Sequence, residues 1–100
     1  MSYTEQQFNQ RKAYARELGA SIRYWREFRG YTQEQLAREL DLSDNALISR
    51  YEAGKVEMPV YRLAQIAFHL ALPVASLIPS PNEPEKAYGG AFKTYTDAEK

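Results

Sequence analysis

The chain has 100 residues, no cysteine and a formal net charge of zero. This length suits one small domain, and the lack of cysteine excludes disulfides and thiolate metal sites. The longest apolar stretch, 66–78, is interrupted by His69, Pro73 and Ser76, so it is too short to span a bilayer. The N-terminus lacks the basic-then-apolar order of a signal peptide, so we expect a cytoplasmic protein.

Apolar residues recur at helical spacing from Phe8 to Ile78, and no segment alternates as a strand does, so we predict an all-α fold. The first helix has Ser2 or Thr4 as its cap and ends near Gly30. Gly19 lies inside this pattern. The sequence leaves open whether one long helix or two helices result.

The next two helices lie almost back to back. Thr32 caps the second helix, and Gln35, three residues later, completes a capping box. After a short interruption, Ser43 or Asp44 caps a third helix, which ends at Gly54.

Two further helices are predicted after a loop. Pro59 suits the first turn of a fourth helix, and Pro73 opens a short fifth helix that includes Ile78. The apolar stripe of the fourth helix consists of Leu63, Ile66, Ala67 and Leu70. Beyond 78 the chain becomes rich in proline and polar residues, and its aromatic residues show no helical stripe. We therefore expect a flexible tail over 79–100.

The third helix has two unlike faces. Leu47, Ile48 and Tyr51 fall on one side at about 100° per residue. The opposite side is small and polar, with Asn45, Ala46, Ser49, Arg50 and Ala53. Such a face has the side chains that read DNA base edges, but any exposed helix face is also polar. Residues 18–57 carry six Lys/Arg and seven Asp/Glu, so no basic field supports nucleic-acid binding.

Taken together and in order, these segments resemble the lambda-repressor-like, Cro/XRE-type helix-turn-helix family. The matching pieces are "LGASIRYWR", "YTQEQLA", "ISRYEAGK" followed by Pro59, and "LAQIAFHLALPVASLI". The resemblance implies a five-helix domain over 18–78. It leaves a helical N-terminal extension over 1–17 and the tail over 79–100.

The resemblance implies a sequence-specific transcriptional regulator, most simply a repressor, encoded by a bacterium or phage and associated with the nucleoid. In this family the second helix crosses the DNA backbone and the third enters the major groove. The resemblance further implies a homodimer that binds a palindromic operator on double-stranded DNA. The two protomers would be joined through the fifth helix alone or through the fifth helix and the tail. The family implies no cofactor and no membrane.

The resemblance also implies roles for individual residues, because each of them stands at a functional position of the family pattern. Four positions match the family's base readers: Asn45, Ala46, Ser49 and Arg50. Three are expected at phosphates: Gln33, Ser43 and Lys55. Arg26 and Glu52 match a partly buried ion pair that joins the first and third helices. Core positions of the family are matched by Leu36, Ala37, Ile48, Tyr51, Leu63 and Leu70.

Four departures from the family pattern affect these expectations, one of which is a residue missing between Pro59 and Ala67, where the fourth helix begins. Asp41 stands where the family usually has glycine. One additional residue lies between Leu36 and Glu52, so the turn or the start of the third helix is longer than in the family. This shifts Ser43, Asp44 and Asn45 relative to the family's base readers, whereas Ser49 and Arg50 are anchored to Glu52. Glu57 lies in a loop that is often basic in the family, where its charge would repel phosphate.

Two other functions remain open from the sequence. One is an antitoxin whose aromatic tail, with Tyr88, Phe92 and Tyr95, binds a toxin. The other is a protein-interaction module that keeps the fold without binding DNA, as the neutral charge suggests. No catalytic set, phosphate loop or metal-ligand spacing is present, so we expect no enzyme. We expect His69, the one histidine, at the surface or at the edge of the core.

Overall fold

The computed structural model describes residues 4–79, and this part of the chain is helical without strands. The five helices are α1 (Glu5–Phe28), α2 (Gln33–Glu39), α3 (Ala46–Glu52), α4 (Val60–His69) and α5 (Val74–Leu77). The all-α, five-helix prediction is confirmed. Ser2 and, apart from Pro79, the predicted tail lie outside the described residues. None of the described helices combines the length and the hydrophobicity that a bilayer crossing requires.

α1 is one continuous helix that runs through Gly19. A glycine inside a helix costs about 1 kcal/mol relative to alanine. Here a methyl group at this position would lie 2.5 Å from the carbonyl oxygen of Glu52 and also overlap that of Tyr51. The glycine therefore lets the C-terminal end of α3 approach the backbone of α1. The predicted boundary between residues 17 and 18 falls inside this helix.

Side chains cap α1 and α2. Thr4 caps α1, where its Oγ1 accepts from the Gln7 amide at 3.2 Å. The predicted capping box of α2 is confirmed, with Thr32 Oγ1 accepting from Gln35 N at 3.0 Å and Thr32 N donating to Gln35 Oε1 at 2.8 Å. The prediction that Ser43 or Asp44 caps α3 is wrong, because the N-cap is Asn45 and its side chain forms no capping bond. Asp44 lies one residue earlier, and its Oδ1 accepts from the Ala46 amide at 2.9 Å.

The last two helices each begin one residue later than predicted. Pro59 and Pro73 have extended ψ angles of 151° and 145° and therefore precede the first turns of α4 and α5. Ile78 also has an extended conformation and lies beyond the end of α5.

α1, α2, α3 and α4 all end in the same two-bond motif. Each motif places one residue in the left-handed region: Gly30, Asp41, Gly54 and Ala71, with φ values of 82°, 61°, 71° and 57°. At the end of α4, Leu72 N donates to Ala67 O at 2.9 Å and Ala71 N to Phe68 O at 3.1 Å, which is the Schellman pattern. Asp41 therefore keeps the backbone conformation for which the family uses glycine.

Ala71→Gly is expected to stabilise the domain by about 1 kcal/mol, because a Cβ in the left-handed region is strained. Asp41→Gly should stabilise it by less, since aspartate tolerates this region better. Urea unfolding would measure both. Gly30→Ala is the matched control, because no atom lies within 4 Å of the added methyl group, and it should destabilise by a similar amount. A loss of stability in Ala71→Gly would contradict the claim that the left-handed conformation of Ala71 is strained.

The core lies where α1 crosses α3 and α5 and where α2 packs on α3 and α4. Its members are Ile22, Leu36, Ala37, Leu40, Ile48, Leu63, Ile66, Ala67, Leu70 and Leu77. Tyr51 is also buried. All six core positions expected from the family resemblance are therefore buried.

One stripe of α1 fastens the C-terminal part of the domain. Ser21 Oγ donates to Leu77 O at 2.7 Å, and Trp25 Nε1 donates to Ser76 O at 3.1 Å. Further along the helix, Arg29 Nε donates to the carbonyl oxygen of Leu70 at 2.9 Å. These bonds satisfy carbonyl groups at helix ends that have no partner within their own helix. The first two bonds hold α5 against α1, and the third ties the end of α4 to it.

Candidate nucleic-acid interface

α3 presents its predicted outer face to solvent. Asn45, Ser49, Arg50 and Ala53 are exposed and Ala46 is half-buried. On the opposite side, Ile48 is fully buried and Tyr51 is 5% exposed. The exposed face carries only short side chains apart from Arg50, and no described residue forms a hydrogen bond or ion pair with the Arg50 guanidinium. The helix therefore offers a narrow polar ridge with one cation.

The connection between α2 and α3 is short and fixed at both ends. Asp41 turns the chain out of α2, and Asp44 accepts the Ala46 amide at the start of α3. The Asp44 carboxylate is therefore engaged at the start of α3, one residue before the N-cap Asn45. Ser43 is exposed between the two aspartates. This connection determines the angle at which α3 leaves α2.

A buried ion pair joins α1 to α3. Arg26 Nε lies 2.6 Å from Glu52 Oε2, and Arg26 Nη2 lies 3.1 Å from Glu52 Oε1. The side chains are 7% and 4% exposed. Arg26 Nη1 also donates to the carbonyl oxygen of Tyr31 at 2.7 Å. This bidentate geometry uses both carboxylate oxygens and ties the end of α3 to α1 and to the loop before α2.

Gln33, at the start of α2, belongs to the same network. Its Nε2 donates to Glu52 Oε1 at 2.9 Å, and its side chain is half-buried. The family resemblance implies a phosphate contact for Gln33, and no local pattern in the sequence indicates its bond to Glu52. The bond fixes the orientation of the amide and leaves one amide hydrogen and the carbonyl oxygen for a ligand.

The loop after α3 runs back along the N-terminal half of α1. A methyl group at Gly54 would lie 2.7 Å from Arg16 Cα and 2.7 Å from Arg16 Cγ. Further along, Glu57 Oε1 accepts from Arg11 Nη2. The acidic residue expected to repel phosphate is thus paired with a cation. Lys55, between the two contacts, is exposed.

The histidine of the chain lies beside a single carboxylate. His69 is half-buried at the edge of the core, and its Nδ1 lies 3.5 Å from Glu39 Oε2. Between residues 4 and 79, no three His, Cys, Asp or Glu side chains are grouped so that they could hold a metal ion.

The chain is similar to known helix-turn-helix proteins in sequence and in structure. The model of the helix-turn-helix domain family matches residues 17–77. The DNA-binding domain of BldD, known from a crystal structure, shares 29% sequence identity with this chain. The two structures superpose with a TM-score of 0.62, and the match covers 68% of this chain and 97% of the BldD domain. The S. venezulae BldD DNA-binding domain is also 29% identical, with a TM-score of 0.61 and coverage of 67% and 99%.

No curated protein matches the chain. The family match nevertheless spans more than half of the sequence and includes α2 to α5 and the C-terminal half of α1. The resemblance to the lambda-repressor-like, Cro/XRE-type proteins is therefore confirmed, and the chain belongs to the helix-turn-helix domain family.

Proposed function

We propose that the chain is a sequence-specific DNA-binding transcriptional regulator that represses by occupying its operator. The observation that carries this proposal is the exposed ridge of α3, which is held at a fixed angle by the Arg26–Glu52 pair and by the short turn after α2. The similarity to DNA-binding domains of BldD supports it. Repression by occupancy requires only tight and selective binding to the operator.

The ridge of α3 would enter the major groove and read base edges. Asn45 can bond an adenine edge at two points, and Arg50 can do the same with guanine. Ser49 can donate to or accept from any base, and Ala46 can contact a thymine methyl group. Because these side chains are short, α3 could approach the bases closely.

Phosphate contacts would set the register of the domain on the duplex. We assign them to Gln33, through the amide hydrogen that Glu52 leaves unused, to the exposed Ser43 hydroxyl and to the Lys55 ammonium. Since Glu57 is paired with Arg11, its charge opposes these contacts less than it would alone. Salt should weaken binding, with a slope that reflects the few cations involved.

A dimer follows from the small reach of one recognition helix, which covers only a few base pairs. We assign the contact between protomers to α5 and its surroundings, where Val74 and Ile78 are partly exposed beside the buried Leu77. Two copies related by a two-fold axis would bind a palindromic operator with half-sites about 34–36 Å apart, or a multiple of that spacing.

Arg50→Glu is expected to lower affinity for the preferred duplex by about 100-fold or more. A bidentate arginine–guanine contact contributes about 1–3 kcal/mol of discrimination, and the introduced carboxylate adds repulsion from the DNA. The readout is fluorescence anisotropy with labelled duplex. Thermal unfolding of the variant should match that of the wild type, because Arg50 is exposed and has no partner among residues 4–79.

Arg38→Glu is the matched control. It makes the same change of charge on an exposed position of α2, near the end where Glu39 contacts His69. This variant should bind within a few-fold of the wild type. Equal losses in the two variants would mean that overall charge determines binding, and the assignment of Arg50 to a base edge would then be wrong.

A further inference from the structure

The N-terminal half of α1 lies directly beside the loop that follows α3. Contacts run in opposite chain directions: Gly19 meets the carbonyl groups at the end of α3, Arg16 meets Gly54, and Arg11 pairs with Glu57. The loop therefore rests on a segment of α1 that the family match, which begins at residue 17, does not include. Any DNA strand that contacts this loop would also lie close to that segment.

This segment of α1 carries two cations without acidic partners. Arg16 and Lys12 are exposed, and neither forms an ion pair with a described residue. Neither has an acidic residue three or four positions away along the helix, so α1 itself provides no partner for them. Lys12 Nζ lies 4.6 Å from the centre of the Phe8 ring. Like charges four residues apart repel by a few tenths of a kcal/mol, and an anion between them would relieve that repulsion.

Arg16 and Lys55 come from distant parts of the sequence and are neighbours in the fold. The stem of Arg16 lies against Gly54, and Lys55 is the next residue. The Lys55 amide in turn donates to the Arg50 carbonyl oxygen at 3.0 Å. Glu57, the acidic residue of this loop, is paired with Arg11, whereas Arg16 and Lys55 are exposed cations.

We propose that Arg16, assisted by Lys12, is a further contact to the phosphate backbone of DNA, beside Lys55. This inference rests on the proposed function, because it assigns part of the same interface. The two side chains would extend the footprint of the domain along one strand. They carry no base information, so they would raise affinity for every sequence by the same factor.

The test is a salt titration of DNA binding with the full chain. Arg16→Gln should lower affinity at 0.1 M salt by about three- to tenfold and reduce the slope of log K against log salt by about one. The additional change of Lys12→Gln should reduce the slope by about one more. Preferred and random duplexes should lose affinity in equal proportion. Arg16→Lys, which keeps the charge, should restore most of the slope.

Arg38→Gln is the control, since it removes the same charge from an exposed residue of α2 and should leave the slope unchanged. Glutamine also keeps the first methylene groups of Arg16 against Gly54, so the melting temperature should not change. If the wild type binds and Arg16→Gln keeps its slope, or if Arg16→Lys loses as much as Arg16→Gln, the inference is wrong and the proposed function stands. If the wild type binds no duplex at low salt, both are wrong.

Discussion

Glu52→Ala is expected to destabilise the domain by about 3–5 kcal/mol, because it leaves the Arg26 guanidinium buried without a counter-charge. The carboxylate accepts two bonds from Arg26 and one from Gln33, and its side chain is 4% exposed. A small domain has about 5–15 kcal/mol of total stability, so this variant should be close to unfolding at 25 °C.

Urea unfolding followed by circular dichroism measures this loss, and Glu34→Ala, an exposed carboxylate on α2, is the control. A double change, Arg26→Met with Glu52→Leu, should recover much of the stability, since a buried ion pair can be replaced by apolar residues at little cost. A loss below about 1 kcal/mol in Glu52→Ala would mean that water or another group reaches Arg26, contrary to its burial.

Gly19→Ala is expected to destabilise the domain by an amount at or above the upper end of the roughly 1–3 kcal/mol typical of overpacking. In an exposed helix the same substitution would stabilise by about 1 kcal/mol. The sign is reversed here because the methyl group would overlap two backbone carbonyl groups at the end of α3, and backbone cannot move aside as a flexible side chain can.

The neighbouring Ala20→Gly provides the comparison, because Ala20 is exposed on the same helix and should show only the ordinary cost of about 1 kcal/mol. Both variants are measured by urea unfolding. A Gly19→Ala protein as stable as the wild type would show that α3 does not approach α1 as closely as described. DNA affinity should fall with stability in this variant, since α3 would be displaced.

Local signals in the sequence are sufficient for most of the fold. The capping box at Thr32 involves residues three positions apart, and the stripe of α4 repeats at helical spacing. Such patterns depend on neighbours along the chain, and a reader of the sequence can therefore recognise them. The inner face of α3, with Ile48 and Tyr51, follows from the same periodicity.

Contacts between distant residues account for what the sequence did not reveal. From the sequence alone, Gly19 indicates only a weakened helix, because the sequence does not show that α3 packs against it. A glycine within a strong helical pattern can nevertheless indicate a site where another backbone approaches the helix closely. The Arg11–Glu57 pair joins residues 46 positions apart. Glu57 was therefore expected to be an uncompensated charge, and no local pattern indicates its partner.

The departure at Asp41 shows how far a family resemblance extends. The sequence identified a missing glycine, and the structure retains the left-handed turn that the glycine would favour, with a φ of 61°. The turn therefore depends on the bonds around it more than on the residue at its centre. The assignment of Asn45, Ser49 and Arg50 to bases stays a prediction, because it depends on how α3 meets DNA.

The most direct test of DNA recognition is a selection from a random pool of duplexes with the purified full chain at low salt, followed by sequencing. We predict one enriched motif with two inverted half-sites, which is lost when Arg50→Glu is used in place of the wild type and kept with Arg38→Glu. A pool that stays random after repeated rounds would contradict sequence-specific binding and would favour a protein-interaction module on the helix-turn-helix fold.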